Sequence, residues 1–192
     1  MFEVNEKVVY GVVGVCEIEQ IGRPPIKGID KDYYFLQPVY DTKGIIYSPV
    51  ENNKVMIRSI IGKDTCIKLI DRAKNCKKDE ALNEKIHPSR YDEMVKSQDV
   101  IQLMHLVRAL FNIKNDRAKE LRRMKSADNR MLATARKLLY GEIAAAMNED
   151  YTAMSEQQHA GHDAVRGCAG IPDWIQGFLW ESVQSVLWEH TA

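Results

Sequence analysis

Two groups of residues in this 192-residue chain have types and spacings that could do chemistry. The first is His159-x-x-His162, with Asp163 and Cys168 close behind, which are the donor types that zinc takes. A fourth ligand at zinc-site spacing is not evident. Residues 155–170 are rich in Gly, Gln and His and read as a solvated linker, so no metal is expected. The second group is cationic: Arg117, Lys119, Arg122, Arg123, Lys125 and Arg130, followed by Arg136-Lys137. Cations crowded in this way suit phosphates, because each contact releases condensed counterions. The same run also reads as an ordinary solvated helix face, softened by Asp116 and Glu120. Aromatic residues do not interleave with it, which disfavours a platform for stacking single-stranded bases.

Catalytic signatures are missing. There is no GxSxG, no phosphate-cradling glycine loop and no HExxH. Cys16 and Cys66 read as small core residues rather than nucleophiles, and His87 and His105 have no evident partners. The expectation is a protein without catalytic residues, cofactor or small-molecule substrate.

The elements that carry the cations change character along the chain. Lys7–Val13 is a β-branched run reaching a turn at Gly14. Residues 15–21 alternate with period two, apolar at Cys16 and Ile18 and then, after a phase slip, at Ile21. Tyr33–Leu36, Ile45–Val50 and Lys54–Arg58 complete five short strands separated by glycine and proline breaks, the pattern of a small antiparallel barrel. From Asp64 the period becomes helical through Ile67, Ile70 and Ala73. Ser89 is a candidate cap for a helix bearing Tyr91 and Met94-Val95, and Ser97 or Asp99 for the next, with Val100, Leu103, Val107 and Leu110. Ser126 opens a long helix with a stripe of Met131, Ala135, Leu138, Leu139 and Ile143. Short-linked helices of this kind form a bundle. Beyond Asp150 lysine vanishes, and Trp174, Trp180 and Trp188 lie on a candidate amphipathic tail helix after Pro172.

The fold class is therefore α+β: a small antiparallel barrel, a helical bundle and a tail helix. The expected divisions are 1–75 for the barrel with its short terminal helix, 76–87 for a polar linker, 88–148 for the basic helical unit, and 149–192 for a linker and tail. No apolar run approaches the roughly 20 residues of a membrane helix. Glu3, Glu6 and Lys7 interrupt any leader-like core at the N-terminus. Four cysteines without CxxC spacing fit reduced thiols, so a cytoplasmic location is expected.

A net charge of zero conceals an asymmetry. Residues 1–150 hold 26 cations against 22 carboxylates, and residues 151–192 hold Arg166 against five. Residues 81–138 carry 13 cations and 7 carboxylates. A basic segment beside an acidic tail suits an anionic partner for the first.

An ordered set of motifs carries a family resemblance. Phe2-x-Val4-x-Glu6-Lys7-Val8-Val9-Tyr10, Val13-Gly14-Val15, Glu17-Ile18, Tyr33-Tyr34-x-Leu36, Asp41 and Ile46-Tyr47-Ser48-Pro49-Val50 resemble the N-terminal module of the CarD/CdnL family of bacterial transcription regulators. Arg90-Tyr91, Ser97-x-Asp99, Val107-Arg108-x-Leu110, Arg130-Met131-Leu132-x-x-Ala135-Arg136 and Gly141-Glu142 resemble its helical domain. The resemblance spans residues 1–148 and implies a Tudor-like barrel that binds the β subunit of RNA polymerase, as in transcription-repair coupling factors. It also implies a helical domain that meets promoter DNA at the upstream edge of the bubble and modulates open-complex stability, with little sequence reading. Candidate polymerase contacts are then Arg23, Ile46, Tyr47 and Arg58. Candidate DNA contacts are Ile86, Arg90, Arg122, Arg123, Lys125, Arg130, Arg136 and Lys137. Two departures stand out. The family's wedge tryptophan is missing from Asn83–His87, where Ile86 is the apolar substitute, and Tyr47 stands where some members present arginine.

Two functions of different class follow. One is a regulator bridging polymerase and promoter DNA. The other is a polymerase-associated protein–protein adaptor that does not bind DNA. Retention on DNA at low salt separates them.

Overall fold

The computed structural model describes residues 1–25, 29–40, 44–51, 54–74 and 85–147. Five antiparallel strands come first: β1 (Lys7–Tyr10), β2 (Gly14–Gly22), β3 (Tyr33–Pro38), β4 (Ile46–Pro49) and β5 (Ile57–Ser59). Four helices follow: α1 (Lys63–Lys74), α2 (Tyr91–Ser97), α3 (Val100–Lys119) and α4 (Ser126–Met147). Most of the expected linker 76–87 and all of the tail 149–192 fall outside the described residues, as does Asp41.

The sheet runs β4-β3-β2-β1-β5, so β4 and β5 are its edges among the described residues. It curls, because side chains from both edges, Ile46 and Ile57, pack on one cluster of Val8, Cys16, Ile18, Tyr34 and Leu36. The phase slip in residues 15–21 is a β-bulge: Ile18 pairs with Leu36 and Gln20 with Phe35, leaving Glu19 extra. Gly11 turns the chain out of β1 at φ +47°, and a side chain there would stand 2.8 Å from Val55 Cγ1. The fifth strand is shorter than the run Lys54–Arg58 suggests. Ladder pairing with β1 starts at Ile57, while the Met56 carbonyl accepts from the Gly11 backbone amide and from Gln98 Nε2.

Helix boundaries follow local capping. His87, not Ser89, organises the entry to α2: its Nδ1 accepts from the Ser89 amide, and Pro88–Arg90 forms a 3-10 turn. Ser89 lies inside that turn, so its hydroxyl is not the cap of α2. Asp99 caps α3, its Oδ1 accepting from Ile101 N and Gln102 N at 2.8 and 2.9 Å. The bundle core is Leu103, Leu106, Val107 and Leu110 of α3 against Leu132, Ala135, Leu138 and Leu139 of α4, with Tyr91, Met94 and Val95 of α2 closing one side.

The barrel and bundle pack together along the second half of α4. Ala145 joins Val9 and Val15 in a buried cluster, and Leu138 Cδ2 lies 3.4 Å from where a side chain on Gly14 would project. Tyr40, just past β3, donates its hydroxyl to the Gly141 carbonyl at 3.0 Å. Helix α1, grouped with the barrel on sequence, buries Cys66 and Ile70 against Ile143, Ala146 and Met147 of α4.

Candidate functional site

The structure separates the candidate residues into two exposed surfaces and one buried junction. On the first surface, β4 bonds only to β3, so its other edge has no strand partner among the described residues. Pro49, which has no N–H, is tolerated at such an edge. Alternation along the strand turns Ile46 half-inward to the barrel core and Tyr47 outward. The Tyr47 ring meets Phe35 edge-on at 4.9 Å, yet the residue stays 37 % exposed. Ile46 therefore acts as a core residue, and Tyr47 offers the side chain. Arg23 follows β2 on the exterior, paired with Asp30 at 3.5 Å, with both side chains well exposed. Exposed pairs of this kind contribute about 0–1 kcal/mol, so the guanidinium can exchange partners.

The second surface is the α3–α4 turn. Leu121 ends α3 in the left-handed region at φ +56°, and the Arg122 amide bonds back to the Arg117 carbonyl at 2.8 Å. Glycine is the usual occupant of such a position, since a β-carbon there costs roughly 1–2 kcal/mol. Here a leucine is 97 % exposed. Around it Arg122, Arg123, Lys125 and Arg130 are all exposed. Arg122 reaches Glu120 at 3.5 Å, whereas Arg123, Lys125 and Arg130 have no carboxylate partner among the described residues. Arg90 belongs to the same end. Burial, with a second contribution from the Asp128 carboxylate in the first turn of α4, raises the pKa of its neighbour Tyr91.

The remaining cations are used elsewhere. Arg136 stacks over the Phe111 and Tyr140 rings, each 5.7 Å away, and so helps pack α4 on α3. Lys137 is half-buried on the barrel side of α4. Its charge partly offsets the burial that pushes the Cys16 thiol up to about 11. Ile86 packs partly buried on the bundle core, so the geometry does not present it as an apolar wedge.

Arg58 lies at the junction, on the sheet edge opposite Tyr47. Its guanidinium makes a two-pronged pair with Glu142, which is 1 % exposed, with Nη2 at 2.7 Å from Oε2. The same Nη2 donates to the Gln98 carbonyl at 2.6 Å, and the Ile61 amide donates to Glu142 Oε1 at 3.0 Å. Gln98 itself sits buried in the left-handed region at φ +53°. Arg58 is thereby committed to joining barrel and bundle rather than to an outside surface. Glu142 was detectable in sequence as a carboxylate on an apolar stripe, four residues after Leu138 and three after Leu139. Nothing in the sequence marks Gln98, Tyr40 or Leu121.

The distances along α4 set the arrangement. The barrel packs on α4 from about residue 137 onward, while Arg122, Arg123 and Lys125 precede Ser126, roughly 18 Å further along the axis at 1.5 Å per residue, with Arg130 about 10 Å along it. Among the described residues no group of three or more His, Cys, Asp or Glu could hold a metal. No helix among them is long and apolar enough to cross a membrane.

A curled antiparallel sheet with an open edge, joined to a helical bundle with a distal cationic turn, defines a two-module α+β binding protein. Residues 2–61 match the family model described as the CarD-like/TRCF RID domain, and residues 68–158 match that of the CarD C-terminal domain. The chain belongs to the CarD family, the family its motifs resemble, and is an RNA polymerase-associated transcription regulator. The second match begins inside α1 and extends past residue 148, ten residues into the segment grouped as tail.

Proposed function

We propose that this protein bridges RNA polymerase and promoter DNA. The barrel binds the polymerase β subunit through the open edge of β4, by strand pairing over Gly44–Val50 with Tyr47 and Arg23 as side-chain anchors. The α3–α4 turn then lies on phosphates at the upstream edge of the bubble, through Arg122, Arg123, Lys125 and Arg130, with Arg90 beside them. Leu121 takes the role of apolar wedge in place of the missing tryptophan, because it is a large apolar side chain standing free among those cations. Contacts of this type position the protein without reading sequence.

The observation that carries this reading is the placement of the two surfaces. The open edge of β4 lies across the sheet from β5, the strand tied to Glu142, and the cations lie at the far end of α4. One body can thus hold two partners without competition between them. An isolated turn with four exposed cations binds DNA weakly, and polymerase held on the barrel raises the local concentration of DNA beside it. The test is a salt titration of the full chain on forked promoter DNA, with and without polymerase. Binding that needs polymerase and falls steeply with salt supports the bridge. Polymerase binding with no DNA contribution at any salt favours the adaptor.

A further inference from the structure

Between the barrel and the bundle lies an open groove of about 640 Å³. Its apolar lining is Val12 in the β1–β2 turn with Val55 and Met56 on the approach to β5 and Ile57 at its start. Val12 and Met56, both lining this concave surface, are 56 % and 52 % exposed. Two exposed lysines, Lys54 and Lys96, flank it. Its buried wall is Gln98, whose Nε2 donates to the Met56 carbonyl and whose Oε1 receives no hydrogen bond among the described residues.

The chain carries a segment of matching chemistry. All three tryptophans of the protein lie after α4, and each adjoins a carboxylate: Asp173-Trp174, Trp180-Glu181 and Trp188-Glu189. Residues 151–192 contain five carboxylates, Arg166 and no lysine. An indole brings a large flat apolar surface, which is what an exposed apolar floor lacks. The adjoining carboxylate meets the lysine rim. The alternative basic surface, the α3–α4 turn, offers Leu121 as its large exposed apolar side chain among the described residues. Position also favours the groove. Helix α4 ends at Met147, about 7.5 Å along its axis from Glu142. Glu142 in turn shares Arg58 with Gln98, the groove wall. Residues 148–173 are ample chain to return from there to Met56, at up to roughly 3.3 Å per extended residue.

We propose that this groove is the docking site of the chain's own acidic, tryptophan-bearing C-terminal segment, with one acid–tryptophan pair seated on Val12 and Met56 between Lys54 and Lys96. Docking there covers the exposed floor and leaves the cations of the α3–α4 turn uncovered. The proposal stands on the groove and the segment alone, whatever the DNA surface does.

Because the protein has no tryptophan before residue 174, its tryptophan emission reports this segment and nothing else. The experiment uses the full chain at low concentration. The expected result is emission blue-shifted from that of the urea-unfolded chain, returning toward the unfolded position in Met56→Asp and in the double variant Lys54→Glu, Lys96→Glu. Val12→Asp checks the same outcome with an independent side chain. All four substitutions fall on exposed positions, and far-UV circular dichroism verifies that each variant is folded. Wild-type emission already at the unfolded position overturns the proposal. So does a blue shift that responds to Arg122→Ala, Arg123→Ala and Lys125→Ala but not to the groove variants. A blue shift lost on dilution assigns the groove to the segment of a second copy and also overturns it.

Discussion

The Arg58 guanidinium and the Glu142 carboxylate meet side by side across the boundary between barrel and bundle, Nη2 standing 2.7 Å from Oε2. Their residues are 84 apart in sequence and belong to separate family modules. The carboxylate is buried and the guanidinium side chain is 26 % exposed, so the pair lies where water screens it little. Two further contacts of the pair, to the Gln98 carbonyl and the Ile61 amide, also cross between the two modules or their connection, while Arg58 Nη1 donates to the Ser59 carbonyl within the barrel.

Removing Arg58 strands a buried carboxylate, which costs about 3–5 kcal/mol in comparable sites. Arg58→Ala is expected to lower stability on that scale, and Arg58→Met with Glu142→Leu to recover much of the loss. Urea titrations of Arg58→Met, Glu142→Leu and the double give the coupling directly. A loss below about 1 kcal/mol in Arg58→Ala would mean that the pair behaves like an exposed bridge.

Gly141 lets the Tyr40 ring close on α4. A β-carbon at 141 would stand 3.1 Å from Tyr40 Cε2, beside the bond from the Tyr40 hydroxyl to the Gly141 carbonyl. Gly141→Ala is expected to cost about 1–3 kcal/mol through that clash. In a Tyr40→Ala background the same substitution should cost nothing, since the ring that opposes it is gone. Equal cost in both backgrounds would locate the strain elsewhere.

Tyr47→Ala is expected to weaken polymerase binding by about 2 kcal/mol, roughly thirtyfold in affinity, as a truncated anchor does. Folding should lose only the Phe35 ring contact, about 1 kcal/mol. Calorimetry with purified polymerase measures the first and a thermal melt the second. Unchanged affinity in a folded variant removes Tyr47 from the interface.

Replacing Arg122, Arg123, Lys125 and Arg130 together by alanine is expected to flatten the slope of log affinity against log salt by up to roughly 3–4, at about 0.9 per phosphate on duplex DNA. Leu121→Ala should instead weaken forked DNA with the slope intact, since it removes a wedge and no charge. Identical slopes for wild type and the quadruple variant would sink the phosphate contacts.

Burial pushes both described thiols up to about 11 from 9.0, with Glu142 adding to the effect at Cys66 and Lys137 opposing it at Cys16. Unfolding releases them to titrate near 9, so between about pH 9 and 11 the unfolded state binds fewer protons than the folded one. Stability should then fall as pH rises through that window, by at most about 1.4 kcal/mol per pH unit for each thiol. Below the window neither state loses its proton and these groups contribute no slope. Urea titrations at stepped pH check this, with Cys16→Ala expected to show the shallower decline.

Short-range patterns were legible in the sequence because their causes are local. The phase slip at residues 18–21 marks a bulge, since one extra residue reverses which face is apolar. Asp99 is a cap because its carboxylate needs only the amides two and three residues on. The cations of the α3–α4 turn are adjacent in sequence, so their clustering survives any fold that exposes them. Fifth-strand length and the entry to α2 were less legible, because each depends on what else competes for the backbone: Gln98 for the Met56 carbonyl, and His87 for the Ser89 amide.

By itself the sequence determined the α+β order of elements, the family and the cationic segment, all of which rest on residues a few positions apart. Only the tertiary structure decided how candidates of one chemical type are divided. Arg58 is drawn to a buried carboxylate and Arg136 to two rings, while Arg122 and Arg123 remain in solvent. Ile46 and Ile86 pack inward, and Leu121 is held outward by a left-handed turn. The physical reason is that a side chain's charge or apolar surface is intrinsic. Its use depends on partners brought within a few ångströms by contacts tens of residues away, and no local pattern encodes those.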